Sequence, residues 1–308
     1  MNKPEVVTII AQETQPRLDR FLAVSYPEYS RTYLQGLVRT GCVTVNGKKE
    51  TCVRTSLELG DVVGMQHIPR PGFNLEPQKV DFEVVDTQDD FIVVNKPAGL
   101  LVHAPANRSQ EVTLVNGLLY LFKDLEELLK KDDRPGIVHR LDEHTSGLLL
   151  IARNERGKMG LTKLFHDRKI SKIYKAIVRG HTPPQGVINF PIGRHPTIRT
   201  KMSHQGVEGR PATSIFTKRE YLNDATLLDV KIVTGRTHQI RVHCAAIGHG
   251  VLGDALYGTT TPHISRQALH ASILEFFYNG VAYRYEIPLP QDMQDLIQKL
   301  GTAESASE

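Results

Sequence analysis

The feature that most constrains the fold is a set of short apolar segments, each about as long as a strand and bounded by turn residues. "FIVVNKPAG" (91–99) and "LLLIAR" (148–153) are continuous apolar runs typical of buried strands, whereas "LLDVKIV" (227–233) and "VAYRYEI" (281–287) alternate as half-buried strands do. Strands outnumber helices and are mostly joined by turns. The sequence therefore predicts an α+β fold with a large mixed, mainly antiparallel sheet flanked by helices, not a doubly wound fold.

The N-terminal segment predicts two short helices followed by a β-hairpin. Residues 17–49, "RLDRFLAVSYPEYSRTYLQGLVRTGCVTVNGKK", carry apolar residues at the spacing of two short helices. Ser30 is suited to begin the second helix and Gly41 to end it. A short alternating run then leads to Asn46-Gly47, which is a strong signal for a hairpin turn.

Changes in composition predict the domain boundaries. "IPRPGFNLEPQ" (68–78) combines prolines and glycine as linkers do, and the terminal "GTAESASE" is polar and small. We therefore predict a small α/β domain over residues 1–75, a larger domain over 76–300 and a disordered tail over 301–308. Within the larger domain, "VNGLLYLFKDLEELLKK" (115–131) predicts one amphipathic helix.

Charge points to a polyanionic partner. The 308-residue chain has a formal net charge of +4, but residues 17–54 alone carry +4 and residues 153–179 carry +7. Two basic tracts in a chain whose total charge is only +4 favour nucleic acid, and the competing interpretation is solvated surface. Three dispersed cysteines predict a reducing cytoplasm, and no apolar run approaches the roughly 18 residues that span a membrane.

Asp142 is the first candidate for chemistry. It lies in "VHRLDEHTSGLLLIAR" (138–153), a polar cluster that precedes an apolar strand. An aspartate there can simply cap a helix or form a turn. A serine nucleophile would need G-x-S-x-G, which is missing. A pair of carboxylates would require Glu143 as the second acid, and a lone carboxylate acting as nucleophile or base remains the third possibility.

A second candidate segment is "TGRTHQIRVHCAAIGHG" (234–250). Its apolar residues predict a helix that Thr237 can cap, which places Arg241 in the first turn. A cation there is unfavourable by roughly 0.3–1 kcal/mol unless an anion offsets it, and that anion could be a phosphate or Asp142. The histidines of this segment match no metal-binding spacing. In "DRKISKIYKAIVRG", Tyr174 is either a core tyrosine or an aromatic platform for a base.

Together these segments resemble the RluA-type family of RNA pseudouridine synthases. "NKPAGLLVHA", "HRLDEHTSGL", "KIYKAIVRG", "TGRTHQIRVH", "GVLGDALYG" and "RQALHA" carry the resemblance in the expected order over residues 80 to 295. Residues 17 to 64 resemble the small S-four-like RNA-binding domain, through "RLDRFLA", "YSR" and "VTVNGK". "GRHPTIRTKM" and "PLPQDMQDLI" are most similar to members that modify large-subunit ribosomal RNA.

The resemblance implies roles for individual residues. Asp142 would be the essential carboxylate that opens the glycosidic bond of uridine. Arg140, Tyr174, Arg241 and Leu269 would bind the substrate, with Arg140 helping to flip the uridine out and Tyr174 stacking on the base. RNA contacts are expected from the N-terminal cations, which are Arg17, Arg20, Arg31, Arg39, Lys48, Lys49 and Arg54.

The resemblance also implies the partners. Neither cofactor nor metal is expected, because uridine and pseudouridine are isomers. The expected partner is ribosomal RNA, either free or within a large ribosomal subunit or its precursor. The protein is expected to be a monomer in the cytoplasm without membrane association. Two other hypotheses compete: a non-catalytic RNA-binding protein that retains the fold, and a hydrolase of nucleosides or glycosides, which would need a second acid or a metal.

Overall fold

The computed structural model describes residues 6–26, 29, 31–66, 75–105, 108–129, 134–198 and 200–301. The chain forms two compact units, Met1–Gly72 and Phe73–Glu308, each with contacts mainly within itself. The predicted linker falls mostly on residues outside the described ranges, as do Ser30 and nearly all of the predicted tail. Among the described residues, no helix is long and apolar enough to cross a membrane.

The N-terminal unit packs two helices against a four-stranded antiparallel sheet of order β1-β4-β2-β3. Its apolar residues recur at helical spacing and are buried together with the sheet. Gly41 ends the second helix with a φ of 73°, as predicted, and Asn46-Gly47 forms the predicted hairpin turn with positive φ at both residues. The elements are β1 (Val6–Ile10), α1 (Leu18–Ser25), α2 (Arg31–Arg39), β2 (Val43–Val45), β3 (Lys48–Glu50) and β4 (Val62–Gln66).

The larger unit is built on a nine-stranded sheet of order β5-β6-β7-β15-β8-β14-β13-β9, with β16 paired to β15. Among the described strands only β7 and β15 pair in parallel, so the predicted mixed, mainly antiparallel α+β fold is confirmed. The strands are β5 (Glu83–Thr87), β6 (Phe91–Lys96), β7 (Ser146–Ala152), β8 (Ile170–Arg179), β9 (Gln185–Ile188), β13 (Ser214–Leu222), β14 (Ala225–Ile232), β15 (Leu269–Tyr278) and β16 (Val281–Glu286).

Helices and a small sheet complete this unit. The three-stranded sheet has the order β11-β10-β12. These elements are β10 (Ile192–Arg194), β11 (Met202–Ser203), β12 (Val207–Arg210), α3 (Leu114–Leu121), α4 (Glu126–Leu129), α5 (Glu155–His166), α6 (Gln239–Ala246) and α7 (Gln291–Leu300). Apolar clusters cover both faces of the large sheet, and β7 is buried at every position, as its continuous apolar run predicts.

The single helix predicted over residues 115–131 is wrong. The chain leaves the helical conformation at Phe122 (φ −125°, ψ 87°), passes through a 3₁₀ turn at Lys123–Leu125 and resumes as α4. The break lets Leu125 and Leu128 join the core, and Asp124 forms an ion pair with Arg153. Periodicity alone does not register such a break, because apolar residues at helical spacing continue on both sides of it.

Gly147 fixes the position of β7 beside β15. Its φ is 119°, and a Cβ there would lie 2.3 Å from the carbonyl oxygen of Ala271. Ser146 and Gly147 are the residues of β7 that pair with β15. The parallel contact between the two strands therefore requires glycine, and it fixes the point at which the polar segment before β7 enters the sheet.

Gly147→Ala should lower the free energy of unfolding of the larger unit by about 2–5 kcal/mol. The strain of a side chain at positive φ and the clash of its Cβ with the Ala271 carbonyl both contribute to this loss. Gly280→Ala is the matched control: Gly280 has a φ of 83° in the turn between β15 and β16, but a Cβ there has nothing within 4 Å. It should cost only about 1–2 kcal/mol. Denaturant titration measures both, and equal losses would contradict the role given to close packing at Gly147.

Candidate active site

The segment that carries Asp142 is held through its backbone. The carbonyl of Asp142 accepts from the N–H of Thr145 (3.1 Å), and the carbonyl of Glu143 accepts from the N–H of Gly99 (2.9 Å). Behind them, the His139 ring accepts from the N–H of Leu150 on β7 (2.8 Å). This turn is therefore fixed to both neighbouring strands, and the Asp142 side chain has a defined position.

Lys96 ties two loops together from inside the protein. It is completely buried, and its ammonium donates to the carbonyls of Pro97 (2.7 Å), Leu100 (2.8 Å) and Glu143 (3.0 Å). These contacts use all three donors of the ammonium. Burial lowers the pKa of Lys96 to about 7. Lys96 thus joins the loop after β6 to the loop that carries Asp142.

Arg241 lies between two carboxylates. Its Nε and Nη2 donate to the Oδ2 (2.6 Å) and Oδ1 (2.9 Å) of Asp254, and its Nη1 donates to Oδ2 of Asp142 (2.9 Å). Arg241 and Asp254 are buried, whereas about 20% of the Asp142 side chain is exposed. Burial opposes both charges, but the hydrogen bonds and the opposite charges raise the pKa of Arg241 and lower that of Asp254.

Tyr257 and His238 complete the surroundings of Arg241. The guanidinium lies over the Tyr257 ring at 5.0 Å, and the Tyr257 hydroxyl is 2.8 Å from Nδ1 of His238. Nε2 of His238 is 3.9 Å from Oδ1 of Asp142. Burial lowers the pKa of His238, which favours the neutral ring. The predicted cap of α6 by Thr237 is wrong, because His238, with a φ of 58°, occupies the N-cap position without a side-chain cap.

Asp142, His238 and Arg241 line a cleft of about 560 Å³. Asp142 is the one Asp or Glu among the described residues that line it. Five Arg or Lys side chains line it as well, namely Arg140, Arg168, Lys172, Arg236 and Arg241. The cleft is therefore strongly basic around a single carboxylate, as expected for a site that takes a polyanion.

The structure brings the substrate-binding candidates together in this cleft. Arg140, Tyr174, Arg241 and Leu269 all line it with Asp142, although they come from four separate segments. Tyr174 and Leu269 are buried on the adjacent strands β8 and β15. Burial and the charge of Asp142 raise the pKa of Tyr174 above its usual value, so the phenol stays protonated.

Glu143 does not act as a second acid in the cleft. Its two carboxylate oxygens accept from Nη1 (2.9 Å) and Nη2 (3.1 Å) of Arg108, and it does not line the cleft. The described residues also bring together no group of three or more His, Cys, Asp or Glu side chains suited to a metal ion. The described lining of the cleft therefore offers Asp142 the side chains of Arg241, His238 and Tyr174, with further basic residues, but no second acid.

The N-terminal cations differ in their surroundings. Arg17 and Arg31 both donate to Asp19, a fully buried carboxylate, at 2.9 and 2.8 Å. Their hydrogen bonds lower the pKa of Asp19, against the effect of burial. The remaining cations are exposed and form no ion pair with a described residue: Arg20, Arg39, Lys48, Lys49 and Arg54.

Comparison with known proteins shows what the chain is related to. Residues 90–246 match the model of the RNA pseudouridylate synthase family, and residues 16–63 match the S4 domain. An uncharacterized RNA pseudouridine synthase of Aquifex aeolicus is 41% identical over 273 residues, covering 87% of this chain and 85% of its own. The chain belongs to the RNA pseudouridine synthase family. The expectation from the sequence motifs is thereby confirmed.

Further members of the family agree with this assignment. The ribosomal large subunit pseudouridine synthase D of Zymomonas mobilis is 36% identical over 319 residues, covering 96% of this chain and 97% of its own. The solved structure of human RNA pseudouridylate synthase domain containing 1 is 29% identical, with a TM-score of 0.56 over 73% of this chain and 97% of that one. The protein is thus an RNA pseudouridine synthase with an S4 domain ahead of the synthase fold.

The synthase site also contains residues that sequence reasoning did not single out. Asp254 and Tyr257 lie in "GVLGDALYG", where Asp254 is the one charged residue in an otherwise uncharged segment. Lys96 interrupts an apolar strand in the same way. A lone charge in an apolar segment signals a buried partner, but the sequence does not say which partner.

Asp254→Asn should reduce turnover by at least about 100-fold, because the amide cannot hold Arg241 bidentately and the guanidinium no longer holds Asp142. It should also destabilise the fold by about 3–5 kcal/mol, as breaking a buried ion pair does. Asp90→Asn is the control: Asp90 is also buried and pairs with an arginine, but that partner, Arg156, does not line the cleft as Arg241 does. It should lower stability while kcat on an RNA substrate stays near that of the wild type, and equal kcat in the two variants would contradict the role of Asp254.

Proposed function

We propose that this synthase isomerises specific uridines of large-subunit ribosomal RNA, with Asp142 as its catalytic carboxylate and the target nucleotide flipped into the cleft. The observation that carries the proposal is the single carboxylate in a basic cleft, held by a buried arginine. The basic walls of the cleft suit a polyanionic substrate, and opening the glycosidic bond of uridine requires a carboxylate such as Asp142. The likeness to ribosomal large subunit synthases D supports the choice of RNA.

Asp142 acts on the sugar of the target uridine. It either attacks C1′ or takes a proton from C2′, and both routes need the carboxylate ionised. The hydrogen bond from Nη1 of Arg241 holds the Asp142 side chain in the cleft, where it faces the sugar. The bond between N1 and C1′ breaks, the uracil turns, and a bond forms between C5 and C1′. C5 loses its proton and N1 gains one, so the product is an isomer of the substrate. Since atoms are only rearranged, the reaction needs no co-substrate.

Flipping is required because a stacked base in folded RNA cannot reach a carboxylate in a cleft. The volume of about 560 Å³ lies in the range of ligand pockets. Tyr174 offers a buried aromatic ring on one wall, on which the uracil stacks. Arg140 is exposed at the cleft and occupies the space that the nucleotide leaves or contacts its phosphate.

The competing hydrolase hypothesis lacks its second acid. A glycosidase needs a carboxylate pair across the scissile bond. Glu143 is bound by Arg108, and the described lining of the cleft contains no other Asp or Glu. The arrangement therefore favours a reaction in which one carboxylate suffices.

Mapping of pseudouridines tests the substrate. Large-subunit ribosomal RNA from cells with and without this protein is compared at single-nucleotide resolution, and the purified protein is added back to the RNA that lacks the modification. We expect a small number of positions to lose pseudouridine and to regain it. An unchanged map would refute the ribosomal substrate.

Asp142→Asn should abolish isomerisation while leaving the fold and the RNA affinity nearly unchanged, because the amide keeps the shape and loses the charge. Turnover and binding are measured on the same RNA. Glu143→Gln is the control and should keep turnover within about twofold, because its side chain lies outside the cleft. Retention of about a tenth of wild-type turnover in Asp142→Asn, only ~1.4 kcal/mol in barrier, would contradict the assignment.

Deletion of residues 1–72 should leave a folded synthase unit that binds RNA more weakly. Each phosphate contact that is lost reduces the slope of log affinity against log salt by about 0.7–0.9. Five exposed N-terminal cations are free to make such contacts, whereas Arg17 and Arg31 are partly neutralised by Asp19, so we expect a reduction of about 1 to 4. Binding across a salt series measures it, and an identical slope would mean that the S4 domain does not contact this RNA.

A further inference from the structure

One wall of the cleft carries cations that the Asp142 site does not use. Arg168 follows α5, Lys172 lies on β8 two residues before Tyr174, and Arg236 precedes α6. The ammonium of Lys172 lies near Gly235, 3.5 Å from where a Cβ of that residue would be, and 5.1 Å from the centre of the Phe165 ring. These three side chains form no ion pair with a described residue.

Arg168 occupies a backbone conformation that favours glycine. It has a φ of 57°, and its N–H and that of Lys169 donate to the carbonyls of Phe165 (3.2 Å) and Leu164 (2.9 Å). This is a Schellman motif, in which the residue with positive φ is usually glycine. The matching motifs after α2 and α6 use Gly41 (φ 73°) and Gly248 (φ 85°).

Neither the helix nor local packing requires an arginine at this position. A cation near a helix C-terminus interacts favourably with the helix dipole, but Lys163 and His166 already occupy the last turn of α5. The Arg168 side chain is exposed and reaches the cleft. Backbone strain that persists beside a functional cleft indicates a use for the side chain.

Lys172 is unfavourable for a different reason, which is the desolvation of its charge. It is half-buried, and desolvation lowers its pKa to about 8. The Phe165 ring contributes a cation–π contact, but no described carboxylate compensates the charge. Arg236 uses its Nε to donate to the carbonyl of Pro211 (3.3 Å) and otherwise faces the cleft. A bound anion would satisfy both side chains.

We propose that Arg168, Lys172 and Arg236 form a subsite for a backbone phosphate of the RNA strand beside the target uridine. The inference rests on the proposed function, because it assumes that the cleft takes a nucleotide of an RNA chain. The subsite holds the strand on the side of Tyr174, while Arg241 stays bound to Asp142 and Asp254. A phosphodiester matches the wall because it offers several acceptor oxygens to three cations and needs no donor in return.

Arg168→Gly is the sharpest test, because its two expected effects have opposite signs. Removing the strain at positive φ should raise Tm by about 1–4 °C. Removing the guanidinium should weaken binding of a single-stranded ribosomal RNA fragment about tenfold and reduce the slope of log affinity against log salt by about 0.7. A residue with only a structural role would change Tm without changing the slope.

Matched variants of the full-length protein complete the experiment. Lys172→Met should reduce the slope as Arg168→Gly does, whereas Arg168→Lys should keep it. Lys169→Gln removes the same charge from the neighbouring residue, which is exposed outside the cleft, and should leave the slope unchanged. Turnover on the same RNA is followed in parallel, and kcat should fall less than affinity.

The outcomes separate the two proposals. If the wild type and the variants isomerise the RNA and the slopes of Arg168→Gly and Lys172→Met equal that of the wild type, the subsite is wrong and the proposed function stands. If the wild type does not isomerise ribosomal RNA, the proposed function is wrong, and the subsite falls with it.

Discussion

The site depends on the bidentate ion pair between Arg241 and Asp254. A buried guanidinium loses its hydration, and the attraction to a carboxylate repays this only when the geometry is good and the remaining donors are satisfied. Here Asp254 binds two of the three guanidinium nitrogens, Tyr257 covers the guanidinium face, and the third nitrogen, Nη1, donates to Asp142. Asp254 and Tyr257 thus fix the orientation of the Arg241 guanidinium. Asp142 therefore receives a hydrogen bond whose direction is set in the protein without substrate.

The Asp142 loop shows the same principle in its backbone. The carbonyls of Asp142, Glu143 and His144 accept from Thr145, from Lys96 and Gly99, and from Arg266, respectively. Gln267, which like Arg266 lies just before β15, donates to the Thr145 hydroxyl. Gly147 then fixes the position at which the chain joins the sheet as β7, beside Ala271 of β15. A loop secured at each carbonyl loses little entropy when it meets substrate, which is what preorganised electrostatic catalysis requires.

The sequence predicts the features that local physics determines. Strand periodicity, the Asn46-Gly47 turn and the all-apolar β7 led to the observed α+β sheet, and a cation in the first turn of α6 led to the anion beside it. The resemblance supplied the family. Contacts between residues distant in sequence could not be predicted in this way. They include the ion pair of Arg241 with Asp254 and those of Arg17 and Arg31 with Asp19. They also include the core contacts at the helix break at Phe122. Each depends on which segments pack together, and no periodic pattern encodes that.

The charges of the cleft divide into two groups with different tasks. Arg241 is buried and held by two carboxylates, so it cannot turn toward an RNA phosphate in the cleft without breaking its bidentate pair with Asp254. Arg140, Arg168, Lys172 and Arg236 carry no such partner among the described residues and remain available to phosphates. Under the proposed function, a cleft without this division would offer the same cation to the RNA phosphate and to Asp142. Burial of one ion pair would then let a single basic surface serve both binding and chemistry.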